Sequence, residues 1–349
     1  MSNVLIIRLS ALGDVAMTIP VVYSAAEANP QDAFTVLTHE NLLPLFINRP
    51  PNVSVKGVNT KSTEKSIWGF LMYIFRLRKC NFDVALDLHS VIRSRIADVF
   101  FRLSGKKVFI IDKGRKERRN IVRRPPKKIE PLLQTVDRYA HVFHAAGYRF
   151  DETFTSLFEK MPVDEKMADE KMPVDMAGEK KGFWVGIAPF AKHKGKIYPV
   201  EKMAQVMAQL SERDDITLFL FGGRGEEEEL LNRWAEEYEN TVNMAGRYAL
   251  SVELAFMSRL DVLVSMDSAN MHLASIAGTK VISVWGATHP YAGFYGYRQP
   301  KDLAIQVDLP CRPCSIYGNK PCYRGDWACM REILPEQITG KVNDYLRGV

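Results

Sequence analysis

At 349 residues and 46% hydrophobic, the chain has a globular composition and room for two domains, which excludes a disordered class. Its longest apolar run, 67–75, is far short of the roughly 20 residues of a spanning helix. Ser2-Asn3 leads straight into apolar residues without a signal-peptide pattern, so a cytoplasmic protein is expected. The net charge of +6 is concentrated: from Arg93 to Lys128 there are fourteen Lys/Arg against three acids, about +11. That suits a phosphate-rich partner such as an anionic glycolipid, a membrane surface or a nucleic acid, or a solvated basic loop.

In chain order, short β-rich runs at 4–9, 34–37, 53–58, 84–88 and 108–111 alternate with helical patterns near 15–28, 64–79, 91–103 and 131–147. This is the alternation of a parallel sheet with crossover helices. The first strand ends in Ser10-Ala11-Leu12-Gly13-Asp14. G-x-G-x-x-G is absent, so this is no dinucleotide fingerprint. Asp14 is either an N-cap or a base for an acceptor hydroxyl.

A segment of different composition follows. Glu159-Lys160-Met161-Pro162-Val163-Asp164 recurs as Glu170-Lys171-Met172-Pro173-Val174-Asp175. Charged and Pro-containing, it is expected to be a flexible linker without chemistry.

After it the alternation restarts, with strands at 184–188, 216–221, 241–244, 262–265 and 281–285 and helices near 200–212, 226–238, 251–258 and 268–277. The loop after 188 holds Lys192, His193, Lys194 and Lys196, a set of point charges suited to a diphosphate. Gly222 and Gly223 follow the next strand and let a ligand approach the backbone, with Glu226 beyond to accept from ribose hydroxyls. At 262–274 a buried strand stops at Asp267-Ser268 and restarts as a helix carrying Ala269 and, one turn in, His272. A helix start offers unsatisfied N–H groups and partial positive charge, an anion site, although Asp and Ser are also ordinary caps. In parallel sheets ligands bind at the carboxyl ends of strands, where these turns fall.

Taken together, these residues resemble the family-9 glycosyltransferases, the ADP-heptose:lipopolysaccharide heptosyltransferases. Ile7-Arg8-Leu9-Ser10-Ala11-Leu12-Gly13-Asp14 looks like the family's opening signature, Asp267-Ser268-Ala269-Asn270-Met271-His272 like its D-[ST]-[GA]-x-x-H motif, and Trp285-Gly286-Ala287-Thr288-His289-Pro290 like its G-x-T-x-P loop. Asp87-Leu88-His89 through Arg93-Ser94 and Val136-Asp137-Arg138-Tyr139 look like acceptor-domain segments. One departure is Ala188-Pro189-Phe190-Ala191, where a hydroxyl-rich run is common.

The resemblance implies an α/β GT-B fold, two Rossmann-like parallel-sheet domains facing a cleft. They would span 1–158 for the acceptor and 183–334 for the nucleotide sugar, with the insert at 159–182 between them and a helix at 335–349 returning to the first domain. It implies an inverting transferase that moves heptose from ADP-heptose to an anionic lipopolysaccharide inner core, in peripheral contact with the inner face of the inner membrane. Asp14 would be the catalytic base. Lys196, Gly222, Gly223, Glu226, Asp267, Ser268, Ala269 and His272 would bind the donor, and Gly13, His89 and Arg93 the acceptor. No cofactor is required and no nucleic acid is expected.

A GT-B transferase or epimerase using a UDP-sugar, and more remotely a nucleic-acid-binding protein, are the competing readings. Cys311, Cys314, Cys322 and Cys329 crowd near the end of the chain. They are open to three readings: reduced thiols, a tetrahedral structural zinc, or disulfides.

Overall fold

The computed structural model describes residues 2–59, 67–77, 81–125, 127–159 and 180–349. The linker expected at 159–182 lies, apart from its ends, outside the described residues, as do Cys80 and both ends of the helix expected at 64–79. The chain divides into two compact units, one of residues 1–114 and 133–157, the other of residues 115–132 and 158–349.

In the first unit β1 (Asn3–Ile7), β2 (Ala33–His39), β3 (Val53–Val58), β4 (Val84–Asp87) and β5 (Lys107–Ile110) form one sheet in the order β3-β2-β1-β4-β5. Every pairing is parallel. β1 is central, and Val4 through Ile7 are fully buried, which is why it reads as an unbroken apolar run. The helices are α1 (Leu12–Ala16), α2 (Ile19–Ala28), α3 (Ile67–Leu77), α4 (Ile92–Leu103) and, after the excursion into the second unit, α6 (Thr135–Ala145).

The single helix expected at 15–28 is thus two. The Thr18 hydroxyl donates to Val15 O at 2.7 Å, and Pro20 has no N–H to continue the ladder, so the chain restarts with proline in its first turn. The helix expected at 131–147 begins only at Thr135.

The second unit repeats the plan. β6 (Phe183–Ala188), β7 (Ile216–Leu220), β8 (Thr241–Asn243), β9 (Val262–Met266), β10 (Lys280–Val284) and the two-residue β11 (Ala304–Ile305) form a sheet in the order β11-β10-β9-β6-β7-β8. All its pairs are parallel. Its helices are α7 (Val200–Ser211), α8 (Glu226–Glu237), α9 (Leu250–Met257), α10 (Ala269–Ala277), α11 (Ala328–Arg331) and α12 (Pro335–Arg347), joined by α5 (Arg115–Ile121) from the exchanged segment.

Two expectations about boundaries change. The C-terminal helix, expected on the first domain, lies in the second unit. Ile338, Val342 and Leu346 of α12 recur at helical spacing and enter the same buried cluster as Met203, Val206 and Leu210 of α7. Such a stripe needs an apolar face to cover it, and α7 supplies one. Residues 115–132, expected in the first domain, also belong to the second unit. The Arg118 guanidinium is buried there over the Phe294 ring at 4.3 Å, and Lys127 Nζ donates to Cys311 O at 3.0 Å and Pro313 O at 2.5 Å. The basic stretch 93–128 is therefore split between units, and part of its charge is structural.

Candidate functional site

In each sheet the strand order reverses once, between β1 and β4 and between β6 and β9. At such a switch point the loops leave the two strands in opposite directions and open a crevice at the carboxyl edge. Most of the expected site residues lie beside these two points, while Gly222, Gly223 and Glu226 follow β7, the neighbouring strand.

In the first unit Arg8 follows β1 directly. Only 6% exposed, it donates through Nη1 to Leu88 O beyond β4 at 2.7 Å and pairs through Nη2 with Asp14 Oδ2 at 2.5 Å. The Tyr139 hydroxyl donates to Asp14 O at 3.2 Å, and the Arg8 guanidinium lies 5.8 Å from the Tyr139 ring. Asp14 is thus an anchored carboxylate in the short α1, about a third of its side chain open to solvent.

His89 sits across the switch point, with Leu9 N donating to its Nδ1 at 3.4 Å. Burial, then the Arg8 charge, drives its pKa down to about 3, so it is a neutral imidazole and no acid–base partner near pH 7. Asp87, ending β4, shapes this loop: Oδ1 accepts from His89 N and Ser90 N and Oδ2 from Ser94 Oγ, each at 2.8 Å. Gly13 is buried in α1, and the Arg93 guanidinium lies over the Phe70 ring at 5.7 Å.

In the second unit Lys196, in the loop after β6, meets Asp267, the residue after β9, across the switch point at 2.9 Å. The two side chains are 16% and 4% exposed. Ser268 is the N-cap of α10, yet its hydroxyl does not cap the helix and lies 3.3 Å from Ser265 Oγ instead. Ala269 and His272 follow on α10, both half-buried. Gly222 and Gly223 lie in the loop after β7, one strand away. Gly223 N donates to Glu227 Oε2 at 2.7 Å, while Glu226 is exposed at the start of α8. Glu227, the next acid of that run, is thus tied to the glycine loop, while Glu226 beside it faces solvent.

The tail holding the cysteines, for which a structural zinc is one of the readings, packs against the Lys196 loop. Gly318 has φ +74°, and a side chain there would strike Lys196 Cγ at 2.6 Å. Gly195 is equally confined, with Gly318 O 2.8 Å from where a Cβ would stand. Ala287 N donates to Gly195 O at 2.9 Å, tying the 285–288 loop to the lysine loop. Arg312, 3% exposed, clamps that loop by donating to Gly286 O at 2.6 Å and to Trp285 O and Thr288 O at 3.1 Å. It also donates to Val307 O and Gln306 Oε1. Neither role has a periodic signal in the sequence.

The four clustered cysteines are free thiols lining one small cavity with Arg312, Arg324 and Asp326. Burial pushes Cys329 up to about 12 and raises Cys314, which favours the neutral thiol. Among the described residues no group of three or more His, Cys, Asp or Glu is arranged to hold a metal ion.

Comparison with known proteins fits this geometry. Lipopolysaccharide heptosyltransferase 1 of Campylobacter coli is 24% identical over 303 residues, covering 83% of this chain and 85% of that protein. A glycosyl transferase family 9 structure from Veillonella parvula superposes with a TM-score of 0.76 at 18% identity, covering 100% of this chain and 98% of that one. E. coli heptosyltransferase WaaC with ADP-2-deoxy-2-fluoro heptose does so with 0.65 at 20% identity, covering 90% and 97%. The two parallel-sheet units are thus those of the GT-B fold. The profile of Glycosyltransferase family 9 (heptosyltransferase) matches residues 72–321, well over half of the chain, and the protein belongs to that family.

Proposed function

We propose that the protein is an inverting heptosyltransferase that moves heptose from ADP-heptose to a lipopolysaccharide inner-core acceptor. It would act in the cytoplasm at the inner face of the inner membrane. The carrying observation is the pair of charged contacts at the two switch points, Arg8–Asp14 and Lys196–Asp267. Family membership and the ADP-sugar analogue held by WaaC support the donor class.

Asp14 takes the proton of an acceptor hydroxyl as its oxygen attacks the anomeric carbon. The bond from that carbon to the diphosphate breaks on the opposite face, and ADP departs with the electron pair. Arg8 binds a carboxylate oxygen of Asp14 and fixes the orientation in which the group meets the acceptor hydroxyl. Lys196 keeps donors beyond the one facing Asp267 and directs them at the diphosphate, stabilising charge as it develops on the leaving group. Ser268, Ala269, His272 and the α10 N-terminus add donors there, and Gly222, Gly223 and Glu226 take the nucleoside end. Gly13, His89 and Arg93 line the acceptor, with His89 as a neutral hydrogen-bonding group.

Calorimetry against ADP, UDP and GDP tests the reading. ADP is expected to bind selectively, and binding should weaken about a hundredfold in Lys196→Ala. Preference for UDP would transfer the site to another donor, and no nucleotide binding would sink the transferase.

A further inference from the structure

We propose that the outward face of α4, with the adjoining edge of α3, docks the first unit onto the surface of an anionic phospholipid bilayer; this rests on reading the acceptor as a glycolipid. α4 is built inside out for a soluble protein. Its buried positions are Ser94, Ala97, Asp98 and Phe101, while Ile92, Val99 and Leu103 are 79%, 58% and 84% exposed. Those three, with half-buried Ile96 between them, stand at spacings of four, three and four, so they form one stripe along the helix.

α3 extends the stripe sideways. Met72 and Phe75 are both more than half exposed, and the Phe75 ring meets Phe100 of α4 edge-on at 6.3 Å.

Charge selects the occupant. Arg95 and Arg102 are exposed on α4 beside the stripe, and Lys107 is exposed just beyond it. The one acid of α4, Asp98, is 2% exposed and turned inward. An apolar stripe edged by long cationic side chains is the pattern of a helix lying in a lipid interface. The apolar residues enter the acyl boundary while the guanidinium groups remain among the phosphates. A soluble protein partner of the same shape would leave these cations to be matched one by one, whereas an anionic bilayer matches them wherever they fall.

The test is co-sedimentation of the full chain with acceptor-free vesicles of phosphatidylethanolamine and phosphatidylglycerol, alongside vesicles of phosphatidylcholine alone. Binding to the anionic vesicles is expected, weakening as salt is raised. Val99→Asp with Leu103→Asp, and separately Arg95→Glu with Arg102→Glu, should each weaken it about tenfold or more. All four positions are on the surface, and transfer to a water-soluble, acyl-free acceptor should stay at the wild-type rate in both variants. Absence of vesicle binding, equal binding to phosphatidylcholine, binding unchanged in both variants, or a self-associated species that only these variants dissolve would each overturn the proposal. Loss of transfer to the soluble acceptor in the unaltered chain would instead overturn the heptosyltransferase reading and leave the vesicle result to stand by itself.

Discussion

Arg8 and Arg312 are both buried guanidinium groups, and they do different work. Arg8 is matched by a carboxylate, so it orients Asp14. Replacing Asp14 by Asn keeps the shape and removes the proton acceptor, and the expected outcome is a fall in kcat of about 10²- to 10⁴-fold with ADP affinity unchanged. Steady-state kinetics with parallel calorimetry checks it, and near-normal turnover would exclude Asp14 as the base. Arg312 is matched mainly by the backbone carbonyls of Trp285, Gly286 and Thr288. Arg312→Met should therefore destabilise the second unit by about 3 kcal/mol, measured by urea unfolding. His89 adds a pH dependence. The unfolded imidazole takes a proton below about pH 6.5, the folded one only near 3. In that window the unfolded state binds more protons, so stability is lost as pH falls from 6.5 towards 3. His89→Gln should flatten that part of the profile, and an unchanged slope would refute the assignment.

At the scale of elements, the loop around Lys196 shows how a site can depend on a distant turn. Gly318 leaves the space that the lysine stem fills. Gly318→Ala adds one methyl in a backbone region that disfavours side chains, and it should raise the KM for donor about tenfold while kcat changes less. Donor titration in the steady state decides this, and an unaltered KM would show that Lys196 is not held from this side. Periodicity and turn chemistry made most elements readable. The split at Pro20, the late start at Thr135 and the short α5 were not; α5 is Arg115-Lys116-Glu117-Arg118-Arg119-Asn120-Ile121. No apolar period marks it, because its buried positions are only Arg118, its guanidinium over an aromatic ring, and Ile121.

At the scale of the whole molecule, each unit carries one sheet with one switch point, and the proposed chemistry places the donor at the second and the base at the first. ADP added to the full chain should slow hydrogen exchange at 189–199, 267–272 and 285–288 and leave 8–14 and 88–94 unaffected, as measured by mass spectrometry. Protection spread evenly over both sets would argue against the donor assignment. The alternation of the main strands and helices, the acids and lysines at strand ends, and the family were legible from the sequence. Each is encoded within about a dozen neighbouring residues, through side-chain period and turn chemistry. Which residues meet was settled only by the tertiary structure. Arg8 finds Leu88, Lys196 finds Asp267 and Gly318, and α12 finds α7 because strand order and packing bring together segments far apart in the chain. No local pattern carries that information, since a parallel sheet can be threaded in several orders from the same alternation of strands and helices.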